Sequence, residues 1–468
     1  MQGPEEKKRP GKHAAPPEQE AQDDVLRADA DLYGDEADIP IRPRKKAPSG
    51  GKPGAKKGRK PAAKGKKGKK KKRASLAARL AALNAKPGFR KRRKMFEVVR
   101  SDDDARVGTI LVFGRRLSLK LLIALAAAVV AVALVFMNNA NIAVREESVA
   151  VVGLPDDLED FQLLVISDLN GRRFGDEQSS LLRAINNLDY DALFFLGDMV
   201  GAGGDPEPFY ELLDGLSTTN NVYFICGDSD PGPYVETPRN ITGTLSQMVL
   251  EDWILGAIER GATYVDSPVC LTVGESDLWI SPATLMNMEA GELLSTWQSQ
   301  MEQEEEGVLA GLQTDYNALP ITSYRQRIAQ NFYNALSSMG EGDFFLALSH
   351  QPPSDDFIYA SASHSSEDGR YLSEPELILA GHYCGGVWRL PVVGAFYIPD
   401  NSLDRNGWFP AQEDVEGLST VGETQVYITG GLSTNADVPV MFFRLFNQPE
   451  ISLLTLTATL PESMIIAE

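Results

Sequence analysis

The sequence predicts an α/β chain: a two-sheet sandwich flanked by helices over residues 146–468, preceded by one transmembrane helix and a disordered basic arm. Three observations carry that reading. Apolar runs of strand length alternate with helical stretches, one uncharged run is long enough to cross a bilayer, and charge of opposite sign is segregated to the two ends of the chain.

The arm, residues 1–113, comes first. Residues 1–120 hold 34 of the 46 Lys and Arg but 15 of the 65 Asp and Glu, so this stretch carries +19 and the remainder −38. From Lys45 to Lys94 it is dominated by Lys, Arg, Gly, Ala and Pro, with too little apolar surface to offset the entropy of ordering it. Such an arm is either a solvated tail that enforces topology or an adhesive for anionic lipid or nucleic acid, each basic residue near a charged leaflet contributing about 1 kcal/mol. Ser75 to Asn84 is able to form a short amphipathic helix on a surface. Beyond Lys120 the chain has no Lys at all, which no physical argument explains.

Residues 114–138 are the predicted span. Leu121 to Met137 is 17 residues without a charge, and Lys120 at its edge can snorkel to the interface. A basic arm before it and an acidic domain after it place the N-terminus in the cytoplasm and the large domain on the outer face of the cell membrane. With no small-residue cleavage site close behind, the span reads as an uncleaved anchor. Arg115-Arg116-Leu117-Ser118-Leu119-Lys120 is also similar to a twin-arginine export signal, although two Arg before a span are ordinary topology markers too.

Within the domain, helical stretches at Gln178 to Leu188 and Pro208 to Leu216 fall between strand runs, the pattern of a sheet covered by helices. Trp253 to Pro282 continues the strands, and the last third (GAFYIP, TQVYITG, MFFRLF, ISLLTLTATL) is strand-rich. Between them, residues 286–340 form an acidic helical insertion that either lids a site or decorates the domain. Three Cys make no disulfide framework; Cys226 and Cys270 lie in apolar strands and read as small buried residues, with a bridge between them left open.

Five apolar runs end in an Asp or a His: LLVIS before Asp168, ALFFLG before Asp198, VYFICG before Asp228, FFLALS before His350 and LILAG before His382. Ligands of open α/β sheets sit at such strand ends, and Asp and His are the donors that a hard or borderline divalent cation takes. A single Asp after a strand also serves as a turn residue or helix N-cap. Five in succession point to a metal site, the more so because two of the four His in the chain occupy these positions.

In order and spacing, Asp168-Leu169-Asn170, Gly197-Asp198, Gly227-Asp228-Ser229-Asp230, Ser349-His350 and Gly381-His382-Tyr383-Cys384-Gly385-Gly386 resemble the signature of calcineurin-like metallophosphoesterases. That pattern runs D-x-H, G-D-x-x-D, G-N-H-[D/E], a lone His, then G-H-x-H. Arg389 to Gly394 and the tail Pro439 to Glu450 are similar to the membrane-associated bacterial branch, and the likeness runs from about Val149 to Leu460 around the insertion. The resemblance implies a four-layer α-β-β-α fold and one or two divalent ions (Mn, Zn or Fe) sharing Asp198. It implies Asp168, Asn170 and Cys384 around the first ion and Asp228, His350 and His382 around the second.

Several positions depart from the family pattern. Asn170 and Cys384 stand where it has His, Asp228 where it has Asn, Gly201 where it has the second Asp of G-D-x-x-D, and Ser229 where it has the general-acid His. The extra charge of Asp228 strengthens cation binding at the second position, while a neutral amide and a thiol weaken the first or select zinc. Ser229 cannot protonate a leaving group at neutral pH. Ser229 and Asp230 are the catalytic candidates that remain, with Tyr383 and His364 as further proton donors, and activated leaving groups are favoured. The implied function is a membrane-anchored phosphoesterase hydrolysing a phosphate ester or pyrophosphate of an envelope compound, a phosphorylated small molecule or lipid, on the outer face. The alternative is a catalytically degraded homologue acting as a binding or scaffold protein at the membrane.

Overall fold

The computed structural model of the chain describes residues 96–99, 109–112, 115–235, 249–310, 318–340, 342–364, 370–400, 407–434 and 441–458. The Lys-rich stretch and Ser75 to Asn84 lie outside them. Among the described residues, those up to Val130 form one unit and those from Ala131 onward another.

The first unit holds three antiparallel strands, β1 (Phe96–Val99), β2 (Thr109–Val112) and β3 (Arg115–Ser118). They occupy positions assigned from the sequence to the arm and to the start of the span. The runs FEVV and TILV follow the Lys-rich stretch and are rich in the β-branched and aromatic residues that favour strands. Helix α1 (Leu119–Ala140) then begins five residues beyond the predicted start, where the Ser118 hydroxyl accepts the Leu121 N–H at 3.2 Å. Its segment Lys120–Ala140 is long and apolar enough to cross a membrane, and its large apolar side chains are exposed.

The second unit contains two six-stranded sheets. One runs in the order β4 (Ala143–Ala150), β17 (Glu450–Thr457), β5 (Gln162–Ile166), β6 (Ala192–Leu196), β7 (Val222–Ile225), β8 (Thr263–Tyr264), with β5 to β8 mutually parallel. The other runs β15 (Gly417–Val421), β16 (Thr424–Ile428), β12 (Leu377–Ala380), β11 (Phe344–Leu348), β10 (Ser276–Pro282), β9 (Val269–Val273), its four central strands parallel.

Strand alternation explains why the central runs carry no polar residue. In β5, Leu163 and Val165 join a core shared with Phe344, Leu346 and Leu377 of the facing sheet. Leu164 and Ile166 point the other way, into a core with α2 (Ser179–Ile185), α3 (Glu207–Asp214) and α4 (Asp252–Glu259). A strand buried on both faces has to be apolar throughout. The second sheet turns Phe345, Ala347 and Ile378 toward Ala290, Phe332 and Ala335 of α5 (Ala290–Leu309) and α6 (Ala318–Ser338), and toward Ile358 of α7 (Asp355–His364). The acidic insertion thus supplies part of the helical layer over this sheet, alongside α7.

Two local expectations are corrected. The stretch MFFRLF forms no strand beyond an isolated bridge between Trp388 and Leu445. Its fourth residue, Arg444, is fully buried, and a buried guanidinium must spend its donors on nearby carbonyls instead of a ladder. Cys270 is exposed, because it lies on an outward position of β9, the edge strand of its sheet, and Cys226 is only partly buried; all three Cys are free thiols.

Arg444 ties the C-terminal end of α1 to the loop after β16. Its Nη1 donates to the carbonyls of Gly431 (3.0 Å) and Ser433 (2.8 Å), and its Nη2 to the Gly430 carbonyl (2.8 Å) and Asn447 Oδ1 (2.9 Å). Its backbone exchanges two further bonds with the Asn139 side chain, at 2.9 and 2.7 Å. Arg444→Ala removes a donor from three carbonyls, of which Gly431 keeps the Glu450 N–H, and is expected to cost on the order of 3 kcal/mol, read as a lower denaturation midpoint of the full chain in detergent.

Candidate metal centre

Parallel register brings the strand ends together. Ile166 pairs with Phe195 and Leu196 with Ile225, so the loops carrying Asp168, Asp198 and Asp228 leave one edge side by side. Leu348 pairs with Leu379 in the facing sheet, which does the same for His350 and His382. Asp168, Asn170, Asp198, His382 and Cys384 all adopt positive φ, between 49° and 69°. Left-handed backbone at non-glycine residues is uncommon and collects at functional sites. Backbone bonds from Asp168 N to the Gly197 carbonyl (3.1 Å) and Asn170 N to the Asp198 carbonyl (2.7 Å) hold these turns.

Two glycines make the convergence sterically possible. A Cβ on Gly227 would stand 2.2 Å from the Asp198 backbone nitrogen, and one on Gly431 would stand 2.7 Å from Asp168 Oδ2. Any side chain there pushes the ligand loops apart.

Each imidazole is aimed by a carbonyl. His350 Nδ1 lies 2.7 Å from the Leu196 carbonyl and His382 Nε2 lies 3.3 Å from that of Pro399, which assigns the N–H to those nitrogens and turns the other two inward. His350 Nε2 is 3.5 Å from Asp198 Oδ2, 2.9 Å from Asp228 Oδ1 and 3.2 Å from His382 Nδ1; His382 Nδ1 is 3.4 Å from Asp228 Oδ2. A tetrahedral ion with bonds of about 2.0–2.1 Å spaces its ligand atoms roughly 3.3–3.4 Å apart, so Asp228, His350 and His382 already sit near coordination spacing, with Asp198 beside His350.

Two overlapping sets result: Asp228, His350 and His382, and Asp168, Asp198 and His350. Within each, the donor atoms lie inside 4.8 Å of one another. Asp168 Oδ1 and Asp198 Oδ2 are buried without a hydrogen-bond partner, and an orphaned buried carboxylate oxygen is what a cation satisfies.

The electrostatics agree. Burial alone would depress His350 and His382, but neighbouring carboxylates, Asp198 first for His350 and Asp228 first for His382, outweigh it and raise both above the usual histidine range. Burial raises the Asp168 carboxyl. It also opposes ionisation of Asp228, yet the bonds to His350 and His382 prevail and hold that half-exposed carboxyl well below the normal range. Packed carboxylates that would capture protons offer the same field to a divalent ion.

The remaining candidates fall into place differently. Asn170 donates through Nδ2 to the Thr434 carbonyl at 3.3 Å, and its Oδ1 packs where a Cβ on Gly201 would come within 2.6 Å. Cys384 is buried beside Asp168, and burial first, then the Asp168 charge, pushes its thiol well above its usual range. Ser229 contributes its backbone N–H to Asp198 Oδ1 at 2.8 Å. Asp230 is turned into the backbone: its carboxylate accepts from Val200 N and Gly201 N at 2.8 Å and from Gly227 N at 3.0 Å, clamping the Asp198 and Asp228 loops together. Tyr383 donates to Asp400, and His364 ends α7, stacked on Tyr371.

The loop at Gly430–Gly431, held by Arg444, was invisible as part of the site. Leu432 N bonds the Ser167 carbonyl at 3.0 Å, and the Ser167 hydroxyl donates to Asp168. The signal available was a strand, TQVYI, ending in a Gly pair at the same edge as the other ligand loops.

The chain matches no protein-family model and no curated protein in sequence. Among solved structures it is similar to the phosphopantetheinyl hydrolase of Mycobacterium tuberculosis, at 12% identity and a TM-score of 0.28, over 59% of this chain and 91% of that one.

Because Asp230 ties both loops together from outside the two clustered donor sets, Asp230→Ala is expected to lower metal affinity roughly 10- to 100-fold while keeping every clustered side chain, as read by competitive zinc titration.

Proposed function

We propose that the chain is a membrane-anchored, metal-dependent phosphoesterase of the calcineurin-like type, acting on a phosphate ester or pyrophosphate outside the cell. One observation carries the reading. Asp228, His350 and His382, drawn from three strands in two sheets, converge near ligand spacing with both imidazoles oriented by carbonyls, and Asp198 from a fourth strand lies beside His350.

These four residues would hold the better ion, which when bound supplies Lewis acidity toward a phosphoryl oxygen and lowers the pKa of water. Asp168 and Asp198, with the Asn170 amide and Cys384 thiol, would hold a weaker one. Cys384 enters only on losing its proton, a loss that its burial opposes. The bonds that occupy Asp230 leave it without a proton to give, so substrates with good leaving groups, such as aryl phosphates or pyrophosphates, are preferred. Helix α1 serves as the anchor, with the basic arm on the cytoplasmic side. The same engagement of Asp230 favours a second reading, a homologue that keeps the fold and one ion but works as a scaffold.

Metal analysis of the purified full chain, together with turnover of an aryl phosphodiester in added manganese or zinc, decides between them. At least one tightly held ion and turnover lost in His350→Ala are expected; one ion or less with no turnover would establish the scaffold. Cys384→Ser is expected to leave the ion held by Asp228, His350 and His382 in place, measured as an unchanged first equivalent in the metal titration.

A further inference from the structure

Outside α1, seven of the exposed large apolar side chains in the second unit fall in three short stretches: Leu390, Val392 and Val393; Trp408 and Phe409; Phe442 and Phe446. Phe442 is 77% exposed and Phe446 65%, on either side of the fully buried Arg444. A hairpin of β13 (Arg389–Leu390) and β14 (Gly394–Ala395) carries the first group.

These stretches are bonded into one patch. Arg389 N donates to the Leu445 carbonyl at 2.9 Å, Leu445 N to that of Val387 at 3.1 Å, and Phe409 N to that of Phe396 at 3.0 Å. Ring contacts continue the surface, Phe442 on Phe443 at 5.1 Å, Phe443 on Trp388 at 5.4 Å, and Phe396 on Trp408 at 5.2 Å. A contiguous exposed apolar patch of this kind marks an interaction surface, whereas scattered apolar residues do not.

Charge and position identify the partner. The segments Tyr383–Pro399, Gly407–Ala411 and Met441–Asn447 contain no Asp or Glu and two Arg, in a domain whose net charge is −38. The patch is also tied to the end of the apolar helix: Asn138 Nδ2 donates to the Asn447 carbonyl at 2.7 Å and Asn139 Nδ2 to that of Arg444 at 2.7 Å. Asn447 in turn donates to the carbonyls of Cys384 (2.9 Å) and Gly385 (3.2 Å), in the loop that follows His382. Trp and Phe at the end of a span are the residues that settle at a bilayer interface, and of the carboxylates bonded to these segments Glu416 is paired with Arg389 and Asp400 with Tyr383.

We propose that this aromatic patch is a membrane-dipping face, whose occupant is the interfacial layer of the bilayer in which α1 is anchored. The proposal rests on the anchored reading above. It makes the loop after His382 continuous with the lipid surface.

The test uses the full chain reconstituted in phosphatidylcholine vesicles brominated near the headgroup. Tryptophan emission is expected to be quenched relative to unbrominated vesicles, and that quenching is expected to be lost both in Trp408→Phe and in the double variant Phe442→Asp, Phe446→Asp. The double variant should melt like the wild type, since both rings are exposed. Alkaline carbonate extraction reads anchoring separately. A chain that resists extraction but shows no quenching, or whose Trp408 stays quenched in the double variant, overturns the membrane face and leaves the anchor standing. A chain that is extracted and unquenched overturns both, and one that is extracted yet quenched supports the face alone.

Discussion

Like charges brought together out of water are the constraint on which the rest of this structure depends. Asp168 and Asp198 are fully buried at one sheet edge, beside Asp228 and two imidazoles. Two adjacent carboxylates without counter-charge are costly in a low dielectric, so the site must hold protons or a cation. The raised imidazoles show the first solution, and the orphaned carboxylate oxygens show room for the second. Everything around the site is arranged to make this convergence unavoidable: parallel registers that end level, glycines that let backbones touch, and left-handed turns that aim the side chains.

The support is built largely from backbone. Asp230 gathers N–H groups from two ligand loops, and Arg444 gathers carbonyls from a third. One buried anion and one buried cation thus do complementary work on opposite partners. Both are held by main-chain dipoles instead of by a salt bridge, Arg444 through its two Nη atoms while its buried Nε has no partner. Arg444 has the added task of joining the end of α1 to the same framework, so the apolar helix and the ligand loops share one hydrogen-bonded assembly.

Some of this was legible and some was not. The ligand strands were legible because a doubly buried strand must be apolar throughout and its terminal Asp or His stands out against that background. The helical insertion was legible as helix, but its place over the second sheet was not, since amphipathic periodicity does not say which surface a helix covers. MFFRLF misled because aromatic content suggests a strand, while the buried Arg444 in its midst dictates a loop wrapped around a guanidinium. Asp230 looked like an acid near the chemistry; only the positions of the Val200, Gly201 and Gly227 amides show that its oxygens are spent.

By itself the sequence determined the apolar strands that end in Asp or His, the long apolar helix and the opposite charges of the two ends of the chain. All of these are local properties of composition and periodicity. Tertiary structure alone decided which nitrogen of each imidazole faces inward, which carboxylate oxygens are left without partners, and that the exposed aromatics of three distant stretches form one surface beside the end of α1. Those depend on distances between residues far apart in the chain, and register, close approach at glycine and burial set such distances only when the sheets are assembled.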